Sequence, residues 1–595
     1  MLVLGLHEGH NASASIAIDG RIVAAVAEER FTGLKNYMGF PLHAARYCLA
    51  AAGVDGNEVG AVAMVTRDID PLIVRLRRST AFSPRDHLDQ QTDYYTRLRD
   101  GDEEATVRQE YAATAPSHRD EVDGYDFSGF GLYRTRRDDC HRFLRTRCDA
   151  VVQHLDIPPE RVRWVDHHTC HAAYAYGASV VREEPVLVFT ADCVGDGSSA
   201  TAWLVDGEGR HQELQRTGNQ ILGYVWRYAA IALGMVPLED EQKLMGLAPY
   251  GDPGSDGSVA SLASLQSVVG GAWAAPDFGH YRDVEARCRG LRFDRLCAGL
   301  QAITESCLAS WMGYWVIRTG CRAAMFGGGL ALNVKSNAVL ARTTGLDRFL
   351  APPGPDDQSL PVGACYHLSG PSGSWARSVP LQHAYLGPDI DPADEAWAVE
   401  RCRSAGHMVI PPCAVTVAKL LAAGRTVGRC AGRLEFGPRA LGNRSILAPA
   451  DDRVTVDLLN KQVKRRDWWM PFAPILRAAD APALLDAATP STGAFMTTAF
   501  ATTERGRMEL AAAIHPRDGS ARAQVLERVV NPELDDILLA YERVAGHVGL
   551  VNTSFNLHRK PLVLGAREAV KTFLESGLDG LLLPGALVVK RGREL

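Results

Sequence analysis

The 595-residue sequence is short of most features that would place it quickly. It has no C-x-x-C pair. Its 13 cysteines are scattered without paired spacing, which supports neither a zinc ribbon nor a disulfide framework and reads as reduced thiols of a cytoplasmic protein. No run of about 18 apolar residues suggests a membrane span. The opening MLVLGLHEGHNASAS lacks the basic start and long apolar core of a signal peptide. Neither sign of charge dominates: 64 Lys and Arg face 70 Asp and Glu, a net charge of −6, so there is no global basic footprint and no nucleic-acid partner is expected. What remains is an ordinary globular composition, 46% hydrophobic and 23% charged. The chain is too long for one core, so at least two domains are expected.

The N-terminus reads as a strand (2–6), a polar loop HEGHN (7–11), a strand (12–18), an Asp-Gly turn and a third strand (21–26). The order returns about 180 residues later: a strand at 186–190, a polar loop ADCVGDGSS (191–199), a strand at 200–205 and a second Asp-Gly at 206–207. Two such units predict a duplicated α/β domain of the actin/hexokinase-like kind, in which hairpin loops face each other across a cleft and hold nucleotide phosphates. Between them, 67–150 is polar with mixed charge and reads as a mainly helical insertion, either a cap over a cleft or a solvated surface. A Ser/Gly/Pro-rich patch, SGPSGSWARSVPLQ (369–382), marks the domain boundary. This places a first domain over 1–375 and a second α/β domain over 385–595.

VDHHTCHAAYAYG (165–177) reads as a strand feeding a helix, which sets His167 and His171 on one helix face. Two imidazoles so placed can meet one cation, although H-x-x-x-H also arises by chance. Asp192 and Asp357 each follow a predicted strand, where a carboxylate points into a cleft or caps a helix. Together the four make a mixed nitrogen and oxygen set that suits iron, manganese or zinc better than calcium. GGGLALN (327–333) is a glycine loop after a strand, fit for close approach to a phosphate or for a tight turn. In the second domain GRLEFGPRALGNRS carries Arg433, Arg439 and Arg444, KQVKRRD adds Lys461, Lys464, Arg465 and Arg466, and HPRDGSARAQ adds Arg522. Glycine, proline and asparagine interleave with these charges, as in a shaped anion pocket.

Eight ordered motifs spread over nearly the whole chain resemble the O-carbamoyltransferases of natural-product tailoring, the group that includes the nodulation, cephamycin and aminoglycoside carbamoyltransferases. They are GHNASASIAIDGRIVAAVAEERFT, DHHTCHAAYAYG, EQKLMGLAPYGDP, GGGLALNVKSN, GRLEFGPRALGNRSIL, WWMPFAPIL, DGSARAQ and VNTSFNLHRKPLV. The resemblance implies a second domain of YrdC-like fold that makes carbamoyl adenylate from carbamoyl phosphate and ATP with Mg. It implies a first domain that passes the carbamoyl group to a hydroxyl of a small-molecule acceptor. By the same resemblance His167, His171, Asp192 and Asp357 would hold a divalent metal, iron-like in relatives. His10 would be the general base, with Glu8 and Lys35 assisting. Gly327, Gly328, Gly329, Asn333 and Lys243 would serve the nucleotide. Arg439, Arg444, Lys464, Arg522, Asn552, Ser554 and Asn556 would bind carbamoyl phosphate and ATP. A homodimer is expected. The sequence departs from relatives at Asn11, where many carry Asp after the histidine, and at Met470, where some carry Arg. The second departure removes one phosphate-binding arginine unless Arg465 or Arg466 replaces it. A tRNA-modifying carbamoyl-adenylate enzyme and an actin-like ATPase module are the competing readings. The acidic balance and the insertion weigh against the first, the second anion site against the second.

Overall fold

The computed structural model describes the chain except residues 80–82, 103, 109–123, 137, 183, 255–257, 275–280, 344, 487–492 and 594–595. Part of the 67–150 insertion thus lies outside the described residues. Its described part is mainly helical, including Pro71–Ser79, Pro84–Asp89 and Asp139–Leu155.

The chain divides into two compact units. The first holds Met1–Glu28 and Asn36–Leu381, the second Gln382–Leu595 together with Glu29–Lys35. In the first, β1 (Leu2–His7), β2 (Ser13–Ile18), β3 (Arg21–Ala27), β4 (Ala61–Val65) and β5 (Val162–Val165) form one sheet in the order β3-β2-β1-β4-β5. A second sheet repeats that order. It comprises β6 (Val186–Gly195), β7 (Ser198–Val205), β8 (His211–Thr217), β11 (Ala323–Gly327) and β12 (Arg348–Leu350), ordered β12-β11-β6-β7-β8, and β9 (Ser267–Val269) with β10 (Ala272–Ala274) makes a separate hairpin. In both sheets the first three strands are antiparallel neighbours and the last two add in parallel. This is the duplicated actin/hexokinase-like arrangement.

The Asp19–Gly20 turn has φ of 47° and 80°, the left-handed pair a two-residue hairpin requires. In the second repeat the corresponding β7–β8 connection runs over Asp206–Arg210 with Gly209 at φ of 76°, so the foreseen Asp206–Gly207 pair is not left-handed, and a left-handed Asp196–Gly197 pair, at 48° and 76°, joins β6 to β7 instead. The polar loop expected over 191–199 is therefore mostly strand: β6 and β7 run on through it to a tight turn, with an irregular register between Ala191 and Gly195.

Two helices fill the core. His167–Gly177 follows β5 but packs on β6, β7 and β11; Leu360–Ser369 follows β12 but packs on β1, β2 and β4, and the two helices pack on each other. Glycine permits the approach. A Cβ on Gly363 would lie 1.9 Å from the Cys170 carbonyl oxygen, and one on Gly177 would lie 2.2 Å from the Tyr366 ring. All eleven residues of His167–Gly177 are buried, so the helix has no solvent face and its histidines are held inside the unit.

The second unit is built on an eight-stranded mixed sheet. Its strands are β13 (Met408–Ile410), β14 (Val427–Cys430), β15 (Arg444–Pro449), β16 (Pro474–Arg477), β17 (Gln524–Leu526), β18 (Leu550–Ser554), β19 (Gly580–Leu582) and β20 (Leu587–Val589), ordered β13-β20-β19-β14-β15-β18-β16-β17. Helices Ala414–Ala422 and Pro532–Ala545 pack on each other, as do Pro392–Ser404 and Ala566–Glu575.

Candidate functional site

In the first unit the foreseen His/Asp set converges. His167 and His171 lie one turn apart on the buried helix, ring centroids 4.8 Å apart. Asp192 comes from the end of β6 and Asp357 from the turn opening the Leu360–Ser369 helix. One ligand atom from each lies within 4.8 Å of the others. His171 Nε2 is 3.2 Å from Asp192 Oδ2 and 3.5 Å from Asp357 Oδ1, and His167 Nε2 is 3.6 Å from Asp357 Oδ1. Both Nε2 atoms and Asp357 Oδ1 are buried without a hydrogen bond. Buried nitrogen and carboxylate donors that face one point and lack partners fit a divalent cation. Burial alone would lower the His171 pKa, but Asp192 and Asp357 raise it to about 9. Burial alone would raise Asp357, but His167, His171 and His7 hold it well below the carboxylate range. His168 stands apart: its Nδ1 meets Thr190 Oγ1 at 2.7 Å and its Nε2 the Ser198 carbonyl at 3.0 Å, so both ring nitrogens are already used.

The glycine loop packs against this cluster. The Gly329 N–H donates to Asp192 Oδ2 at 2.7 Å and the Gly328 N–H to the Pro355 carbonyl at 2.8 Å. Gly328 has φ of 90°, and a Cβ on it would lie 2.3 Å from the Ala191 carbonyl oxygen. Gly327 lets β11 approach the His171 carbonyl, 3.0 Å from where a Cβ would stand. Asn333 is engaged as well. Its Oδ1 accepts from the Ser336 N–H at 3.0 Å at the start of the next helix, and its Nδ2 donates to Gln301 at 2.9 Å. Lys243 pairs with Asp240 at 3.1 Å.

Of the three residues proposed for acid–base work, His10 is half-buried in the loop after β1. Glu8 is fully buried, accepting from Arg147 Nε at 2.6 Å and from the Tyr125 hydroxyl, which makes it a structural ion-pair partner instead. Lys35 is exposed and belongs to the second unit. Sequence reading missed His7. It is buried, with Nδ1 unpartnered and Nε2 donating to the His10 carbonyl at 3.0 Å, and burial pulls its pKa to about 4. Strand alternation offered a signal, since His7 shares a face of β1 with Gly5, and a Cβ on Gly5 would touch Pro361 of the core helix. Arg227 was also missed. It sits on the helix packed against β6, its Nε buried without a hydrogen bond and its charge within reach of Cys193, beside Asp192.

In the second unit a cationic pocket forms. Lys464 donates from Nζ to Ser554 Oγ at 2.8 Å, to the Ser554 carbonyl at 2.8 Å and to Asn556 Oδ1 at 2.5 Å. Burial, with Arg466 and Lys35 nearby, pushes its pKa well down. Burial and Arg439 lower Arg466 to about 10, and burial with Arg439 and Arg466 depresses Arg522, whose Nε has no hydrogen bond. Arg466 thus lies near Arg439 and Arg522, while Arg465 is exposed. Two foreseen members are structural. Arg444 is fully buried and donates to the carbonyls of Ala431, Gly432, Asn443 and Leu564. Asn552 donates to Gln524 Oε1 at 2.6 Å and to the Ala440 carbonyl at 3.1 Å, beside Arg439.

The protein family described as Carbamoyltransferase N-terminus matches residues 3–366, and that described as Carbamoyltransferase C-terminus matches 418–590. Nodulation protein NolNO of Sinorhizobium fredii is 29% identical over 606 residues, covering 98% of this chain and 79% of that protein. Nodulation protein NolO of Bradyrhizobium diazoefficiens is 30% identical, covering 72% of this chain and 80% of that protein. Nodulation protein U of Rhizobium tropici is 35% identical over 40% of this chain and 39% of its own length.

Proposed function

The chain belongs to the carbamoyltransferase family, and from that premise we propose an ATP-dependent O-carbamoyltransferase whose two units divide the labour. It is an enzyme that transfers a carbamoyl group. The observation that carries the finer reading is the pocket of Arg439, Lys464, Arg466 and Arg522. The charges acting on Lys464, Arg466 and Arg522 are those of other cations. Buried and half-buried cations that raise one another's energy are relieved by an anion, and guanidinium forks match phosphate oxygens. Carbamoyl phosphate and the triphosphate of ATP supply such anions. Carbamoyl phosphate loses its phosphate to water, the carbamate oxygen attacks the α-phosphorus of ATP, and pyrophosphate leaves. Arg439, Arg466 and Arg522 hold the phosphoryl oxygens while charge moves among them, and Lys464, fixed by Ser554 and Asn556, supplies a point charge.

In the first unit the acceptor hydroxyl attacks the carbamoyl carbon of the adenylate. The hydroxyl proton goes to His10 and AMP departs. His167, His171, Asp192 and Asp357 would hold the metal, iron by resemblance with manganese or zinc as alternatives. Once bound, it offers a Lewis acid to the adenylate phosphate. The acceptor is a secondary metabolite, and the long insertion with its aromatic stretch 125–133 favours a bulky one.

The test needs no acceptor. Purified protein with ATP and carbamoyl phosphate is expected to release pyrophosphate and form carbamoyl adenylate, followed by mass spectrometry. Arg522→Ala should abolish that release, and His167→Ala should leave it intact. If pyrophosphate release does not depend on carbamoyl phosphate in the folded, metal-loaded protein, the reading fails.

A further inference from the structure

Thr66 follows β4 with φ of 60°. A residue branched at Cβ is strained in that left-handed region. The corresponding position of the second repeat, directly after β11, is Gly328 with φ of 90°. There the residue is the one that adopts such a backbone freely. The first repeat keeps a threonine, and its hydroxyl does what glycine cannot. Thr66 Oγ1 lies 3.0 Å from His167 Nδ1, with both groups buried. With Nε2 given to a metal, the neutral ring carries its proton on Nδ1, which then donates to Thr66 Oγ1.

The strained turn is clamped on both sides of its backbone. Arg147, fully buried, donates from Nη2 to the Val65 carbonyl at 2.9 Å, and from Nη1 to the carbonyls of Thr66 at 2.8 Å and Arg67 at 3.3 Å. The guanidinium is held in turn by Glu8 and lies 4.5 Å from the centre of the Trp164 ring. Asp196, in the β6–β7 turn, accepts through Oδ1 from the amides of Arg67 at 2.7 Å and Asp68 at 3.1 Å. Its Oδ2 accepts from the His167 amide at 3.0 Å. One carboxylate thus fixes the Thr66 turn and the start of the ligand helix in a single frame.

We propose that Thr66 is a positioning residue for the metal centre. It sets the tautomer and ring orientation of His167, and the Arg147–Glu8 pair with Asp196 holds Thr66 in a backbone it would otherwise leave. The inference rests on reading the four-residue cluster as a metal site.

The experiment titrates the metal-free full-length protein with cobalt(II), following its visible absorption and the binding heat, for wild type, His167→Ala, Thr66→Ser and Thr66→Gly. Melting of the metal-free proteins is measured alongside. Thr66→Ser is expected to bind as wild type. Thr66→Gly should bind roughly 10- to 100-fold more weakly while melting at the same temperature or higher, because glycine relieves the turn. Weaker binding without lost stability is what a packing role cannot give. Wild-type affinity in Thr66→Gly, with His167→Ala not binding, overturns the positioning role alone. Failure of the wild type itself to bind cobalt overturns the metal reading and this inference with it.

Discussion

Gly195 ends β6 against the His167 ring, where a Cβ would stand 2.1 Å from ring Cγ. Gly195→Ala should therefore turn the imidazole out of line. It is expected to cost about 1–3 kcal/mol of stability, as overpacking does, and to weaken metal uptake more than that stability loss explains. Calorimetric melting and cobalt titration of the same variant check both. This scale also separates what could be read from sequence from what could not. The four ligand candidates were legible because each carries a local signature: a one-turn histidine spacing, or a carboxylate at a strand end or helix start. Arg444 reads as a site residue from its place in an arginine-rich loop, and Glu8 and Asn333 from the family resemblance. Their partners are, in turn, the carbonyls of Ala431 and Gly432, Arg147, and Gln301. Nothing in the spacing of a motif announces a partner 139 residues away. Arg466 could not be preferred over Arg465 until the left-handed backbone at Arg465, φ of 47°, sent the two side chains apart.

At the scale of elements, the crossed core helices bring histidine and aspartate to one point, and the charges they carry make the centre sensitive to pH. The metal-free His171 titrates at about 9, raised by its two carboxylates against the effect of burial. A raised pKa means that its contribution to stability is fully present below the ordinary value of 6.5 and is lost as pH rises through about 9. A metal needs the neutral ring, so binding must displace that proton. Cobalt binding at pH 7.5 is expected to release about one proton from His171 and, at pH 9.5, only about a quarter of one, as measured by titration calorimetry in buffers of different ionisation enthalpy. The strands around the hairpins of the first unit were legible from their apolar runs, whereas the eight-stranded sheet of the second unit was not read strand by strand. The polar stretch 191–199 was not legible as strand, because its aspartates and glycines look like a loop while neighbouring strands supply the hydrogen bonds that keep it extended.

At the scale of the whole molecule, the second unit includes Glu29–Lys35 from near the chain start. Arg30 donates to the Gly437 carbonyl at 3.1 Å, and Glu29 and Arg30 are both buried. A boundary drawn once along the sequence misses this. Residues 382–595 expressed alone are expected to melt below the corresponding transition of the full chain, and a synthetic peptide of residues 28–36 should raise that temperature, as scanning calorimetry would show.

The two sheets of equal strand order have a further consequence. His167 and His171 follow the fifth strand of one sheet, Asp357 follows the fifth strand of the other, and His7 and Asp192 stand near the ends of the two first strands. The His/Asp cluster therefore lies on the internal symmetry of the unit, with each half contributing from matching stations. The stations match in place but not in chemistry, so neither half could assemble the cluster from its own side chains: imidazoles come from one, carboxylates from the other, and threonine stands where the twin position is glycine.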